Sequence, residues 1–101
     1  MANKPGGWSD TMDATEKIQN ICDQVKVRVE EKTHENYREF KAVKYIYQIV
    51  KGENYVIKVH VGGEDYDHLN LFQALPCDRG EIVLHDVLQH KTKDDPLIPF
   101  N

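Results

Sequence analysis

The sequence predicts an α+β domain in which one amphipathic helix covers the apolar face of an antiparallel sheet. Three observations carry that expectation. Apolar residues recur at helical spacing in a single stretch, from about Ala14 to Lys32. Beyond Lys41 the pattern changes to alternation with period two, in four successive runs. The connectors between those runs are short, and short connections join antiparallel neighbours. A sheet with one apolar face needs a cover, and the helix is the element available to supply it.

The helix comes first. Ile18, Ile21, Cys22, Val25 and Val29 fall on one stripe, with Asp23, Lys26, Glu30 and Glu31 on the other face. Thr15 or Asp13 can cap its start, and Asp13 with Glu16 resembles a capping box. Cys22 lies on the apolar stripe, where it acts as a small buried hydrophobe.

Strand signals follow a polar break at 33–39. In the first run Val43, Tyr45, Tyr47 and Ile49 share one face, while Ala42, Lys44, Ile46 and Gln48 share the other. The runs 55–61, 68–74 and 82–89 complete the set, rich in β-branched and aromatic residues. The connectors are 50–54, 62–65 and 76–80, each holding glycine. The expected order is therefore helix, then four strands in a meander. The tail from Asp94 to Asn101 carries two prolines and is expected to be extended. Residues 1–13, with Pro5-Gly6-Gly7, read as a flexible leader on a single domain spanning 1–101. Trp8 within it either packs back on the domain or awaits a partner.

Composition narrows the function. The chain has 101 residues and a net charge of −4, from 13 basic and 17 acidic side chains. That balance argues against nucleic-acid binding, which needs a basic surplus. No apolar run approaches the roughly 18 residues of a membrane span, so no membrane partner is expected. The first residues hold no apolar stretch of the signal-peptide kind, and there is no N-x-S/T acceptor. With two cysteines, Cys22 and Cys77, the chain lacks the staple framework of small secreted domains. Reduced thiols and a cytoplasmic location are expected.

Candidates for chemistry are weak. The five histidines, His34, His60, His68, His85 and His90, show no ligand spacing on a helix. His60 and His68 lie on consecutive strands and could face each other, but a metal site needs three or four ligands. Cys77, in a loop, could be redox-active, yet no oxyanion-hole element or phosphate loop accompanies it. Glu30-Glu31 and Asp94-Asp95 read as solvated faces. The expectation is no enzyme, no metal and no cofactor.

One run stands out, Gln48-Ile49-Val50-Lys51-Gly52. A hairpin in which Gly52 takes positive φ accounts for the glycine. It does not account for two apolar residues at a tip where polar ones are usual, which suggests a contact surface. Leu75-Pro76 is a second apolar tip, and in a meander both tips fall at one end of the sheet. The run fits the Q-x-V-x-G motif of the cystatins. With Ile21–Val25 leading to Glu30–Thr33, Asn54–Gly62, His68–Pro76 and Lys93–Asp95, nearly the whole chain resembles the type 1 cystatins, or stefins.

The resemblance implies a fold and a function. The fold is a curved antiparallel sheet wrapped around one helix. The function is reversible, tight-binding inhibition of papain-like cysteine proteases, of the cathepsin L, B, H and S kind. The binding wedge would comprise Gly6 and Gly7 in the leader, Gln48, Ile49, Val50, Lys51 and Gly52 in the first hairpin, and Leu75 and Pro76 in the second. The resemblance also brings an alternative, a self-associating module domain-swapped through the first hairpin and no longer inhibitory. A monomer is expected, with a swapped or Cys77-linked dimer as the other states. Three positions depart from the family: Lys51 where a small residue is frequent, Trp8 after the leader glycines, and Cys77 directly after Leu75-Pro76.

Overall fold

The computed structural model describes residues 7–100. In chain order the elements are β1 (Met12–Asp13), α1 (Glu16–Thr33), β2 (Lys41–Val50), β3 (Gly52–His60), β4 (Tyr66–Gln73) and β5 (Ile82–Lys91). A 3-10 turn, Pro76–Asp78, lies between β4 and β5. The strands form one antiparallel sheet in the order β1-β2-β3-β4-β5. The meander of β2 to β5 is the expected one. The extra strand, β1, comes from the leader and pairs Met12 with Tyr45 and Asp13 with Lys44. Two residues carry no period, so only their partner on β2 identifies them as a strand.

Helix α1 begins where Thr15 Oγ1 accepts from the Ile18 N–H at 3.4 Å, which satisfies one of the unpaired donors of the first turn. The Asp13–Glu16 capping box does not form, because Asp13 is held in β1 with its carboxylate on the Lys44 ammonium. The helix ends at His34, which takes a left-handed conformation (φ 61°). Its buried stripe is the predicted one: Ile18, Ile21, Cys22, Val25 and Val29. These side chains meet Tyr45, Tyr55, Ile57, Val59, Leu69, Leu71 and Ile82 in a single core. Cys22 is fully buried within it, and desolvation, helped by Asp23, pushes its thiol up to about 12. That makes it packing rather than chemistry. Gln19 ties helix to sheet, donating to the Phe40 carbonyl at 3.0 Å and accepting from the Ala42 N–H at 2.8 Å. Arg28 adds a bond to the Ile82 carbonyl at 2.5 Å.

Alternation fails at one place in β2. The pairing with β3 slips between Ala42 and Lys44, a bulge that inserts one residue. Ala42 and Tyr45 therefore both enter the core, although strict alternation puts them on opposite faces. His60 and His68 are not opposed either: His60 pairs with Tyr66, and His68 with Lys58. Among the described residues no group of three His, Cys, Asp or Glu side chains could hold a metal, and no helix there is long and apolar enough to cross a membrane.

The face of the sheet away from the helix is crossed by the tail. Lys58 is buried there, and its ammonium donates to the carbonyls of Thr92, Lys93 and Asp95 at 2.8, 2.5 and 2.8 Å. Asp95, expected to be solvated, closes this turn by accepting from the Thr92 N–H at 2.7 Å, a bond that lowers its carboxyl. Asn70 donates to the Phe100 carbonyl further along. The extended tail is thus a strap fixed at both ends.

Candidate functional site: an apolar edge at one end of the sheet

In an antiparallel meander alternate connections lie at the same end. The β2–β3 and β4–β5 turns share one end of this sheet, and the chain leaves β1 toward that end as it is followed back to Gly7. Three segments are therefore lined up in series: leader, first hairpin, second hairpin.

The first hairpin is very tight. Val50 pairs with Gly52, so Lys51 alone occupies the turn. Gly52 has φ +113°, the positive value expected for it. A Cβ there would sit 2.5 Å from the Gln73 carbonyl oxygen and 2.7 Å from the Phe72 ring. Both the torsion and this approach to β4 require glycine. With Gly52 pressed inward, Ile49 and Val50 stand outward, 69% and 46% exposed. Lys51 is also exposed, and Gln48 is half-buried with its Oε1 accepting from the Asn54 amide at 2.9 Å.

The second hairpin is built differently. Its neck is closed by Ala74 N–H to Glu81 O at 2.8 Å. The Leu75 carbonyl accepts from the N–H groups of Asp78 and Gly80, at 2.8 and 2.9 Å. The loop satisfies its own backbone, so it is rigid without a core of its own. Leu75 is 39% exposed, and Pro76 and Cys77 beside it are exposed too. Between the two hairpins lies a groove of about 460 Å³ walled by Ile49, Val50, Leu75 and Pro76. At its flank Lys17 pairs with Glu53 at 3.5 Å.

Of the leader glycines, Gly6 lies outside the described residues, as does Pro5. Gly7 is described: it is exposed, has φ +86°, and sits beside the Gln48 side chain. Trp8 packs back on the domain. It is half-buried and forms a bridge with Gln48. Ser9 next to it is buried against Tyr47. Trp8 thus takes the first of its two expected readings, while Ser9 was not legible, since its signal is a pairing with β2 and not a pattern in the leader. The structure thus brings Gly7, Gln48 to Gly52, Leu75 and Pro76 to one end of the sheet, with Cys77 alongside as a free thiol.

The arrangement has no nucleophile–base pair and no metal cluster among the described residues. What it offers is protruding apolar area on rigid turns, the complement of a concave cleft. Comparison with known proteins agrees with that shape. The family described as the cystatin domain matches residues 6–94. Human Cystatin-A is 46% identical over 96 residues, 95% of this chain and 98% of that protein. Leukocyte cysteine proteinase inhibitor 1 of Sus scrofa is 45% identical over 95 residues, 94% of this chain and 92% of that protein. Stefin-C of Bos taurus is 44% identical over 95 residues, 94% of each chain. With a matched domain over most of its length and relatives of this identity end to end, the chain belongs to the cystatin family and, within it, to the stefins.

Proposed function

We propose that this protein is a reversible, tight-binding inhibitor of papain-like cysteine proteases of the cathepsin kind, acting in the cytoplasm. The observation that supports it is the alignment of Gly7, Ile49-Val50 and Leu75-Pro76 along one end of the sheet. A cleft that takes extended peptides is concave and largely apolar. Burying even ~200 Å² of apolar tip contributes about 5 kcal/mol gross. The turns are already rigid, so little of that is lost to ordering. The leader occupies the cleft on one side of the target's thiol and the hairpins the other. Gly6 and Gly7 let the backbone pass close without a Cβ clash. No peptide bond is offered in attack geometry, so the wedge blocks the cleft and is not cut. Lys51 extends a cation from the apex toward the rim of the cleft and favours targets with acidic rims.

One relative is named as a cysteine proteinase inhibitor, which favours this reading over the self-associating alternative. The test is a stoichiometric titration of active papain with the pure protein. Equimolar inhibition is expected, weakened by deleting residues 1–7 and by Gly52→Trp. Hydrolysis that continues undiminished at equimolar protein overturns the proposal. An affinity unchanged by the deletion removes the leader from the mechanism.

A further inference from the structure

Ser9 is a small polar residue that nothing in the sequence marks out, yet it is 5% exposed. Its N–H donates to the Tyr47 carbonyl at 2.8 Å, and its Oγ accepts from the Tyr47 N–H at 3.0 Å. The hydroxyl proton goes to the Asp10 carbonyl at 2.9 Å. One leader residue therefore satisfies both backbone groups of Tyr47. In a regular antiparallel ladder a backbone carbonyl would receive that N–H. Here Trp8 opposes Gln48 and Met12 opposes Tyr45, so four steps of the leader run against three of β2. The leader bulges, and the serine hydroxyl supplies the rung that the bulge removes. Immediately upstream Trp8 bridges to Gln48, the first residue of the first hairpin motif, and Gly7 turns away at φ +86°.

We infer that Ser9 is a positioning residue for protease binding: its hydroxyl clamps the leader to the Tyr47 backbone, so that leader and first hairpin reach the target as one pre-ordered edge. The inference rests on the inhibitory reading above. A leader ordered on folding does not have to be ordered on docking. Fixing the backbone of a single residue is worth about a factor of ten in an equilibrium constant. Losing the hydroxyl leaves the Tyr47 N–H without its partner and loosens the hold on Trp8, which then rests on the Ser9 N–H and the bridge to Gln48.

Trp8 is the sole tryptophan, so its fluorescence anisotropy in the free, full-length protein reports whether the leader is held. Ser9→Ala is expected to lower that anisotropy and to weaken inhibition of papain about tenfold. Ser9→Thr, which keeps the hydroxyl, is expected to restore both. Should Ser9→Ala fail to fold by far-UV circular dichroism, Ser9→Cys carries the same comparison with a much weaker acceptor of similar size. An inhibition constant unchanged by loss of the hydroxyl overturns the inference and leaves the inhibitory reading intact. Weaker inhibition with Trp8 anisotropy at the wild-type value also overturns it, since the serine would then act without holding the leader. A wild-type chain that leaves papain fully active overturns the inhibitory reading first.

Discussion

Gly52 concentrates two constraints in one residue. Its φ of +113° is one that L side chains rarely adopt, and β4 leaves a Cβ no room, with the Gln73 oxygen 2.5 Å away. Gly52→Ala is expected to cost about 2 kcal/mol in urea denaturation and to weaken papain inhibition, because relief of the clash moves Ile49 and Val50. His68 makes a different prediction. It is buried, its Nε2 has no hydrogen-bond partner among the described residues, and burial beside Lys58, with Lys91 adding charge, pulls the imidazole from 6.5 down to about 4, against a small opposing pull from Asp95. Between those values the unfolded chain binds the proton and the folded one does not. The stability this implies is complete above pH 6.5 and is lost as pH falls toward 4, on the order of 3 kcal/mol in all. Asp67 runs the other way: burial raises its carboxyl, so its contribution is greatest in acid and falls as pH rises through its folded value. The readout is therefore the difference between wild type and His68→Gln. Denaturation midpoints should diverge between pH 6.5 and 4.5, with the variant losing less; parallel curves would refute the assignment.

Among the elements, the C-terminal strap depends on one buried cation. The Lys58 ammonium serves three carbonyls across 92–95, and desolvation lowers its pKa against the pull of Asp95 and Asp94. Lys58→Met leaves those carbonyls to find water. The strap is expected to lift, at a cost of roughly 1–3 kcal/mol, and limited proteolysis should cut near residues 92–97 in the variant before wild type. The helix is held to β2 by Gln19, whose amide bonds both the Phe40 carbonyl and the Ala42 N–H at the mouth of the bulge. Lys58 and Gln19 both read as ordinary polar residues in the sequence. Their weight comes from what the fold brings opposite them.

For the whole molecule, the proposed inhibition depends on the fold gathering Ile49, Val50 and Leu75 at one end of the sheet. One continuous core holds the helix and sheet together without a disulfide among the described residues. Cys22 lies inside that core and Cys77 beside the second hairpin. Thiol titration with a chromogenic disulfide should find one group that reacts at once in the native protein and a second that reacts only in denaturant. Fast reaction of both would contradict the packing of Cys22. Because reaction at Cys77 places a bulky group next to Leu75 and Pro76, the singly modified protein is expected to inhibit papain more weakly than the reduced one.

By itself the sequence determined the helix stripe, the four-strand meander, the two apolar tips and the positive φ at Gly52. Each follows from local period, turn chemistry or a short connector, and the Q-x-V-x-G run together with the leader glycine, Leu75-Pro76 and the flanking runs in register carried the family. Only the tertiary structure decided the rest. The bulge at Ala42 and Lys44 put two residues of opposite parity into one core. Asp13 left its cap for Lys44, and Thr15 took its place. The leader from Trp8 to Asp13 came down on β2. For the bulge, for Asp13 and for the leader the partner lies across a strand pair, whereas the Thr15 cap is a local contact chosen once Asp13 was drawn away. A backbone donor or a buried charge is satisfied by whatever folding places within about 3 Å of it, and no local pattern encodes that neighbour.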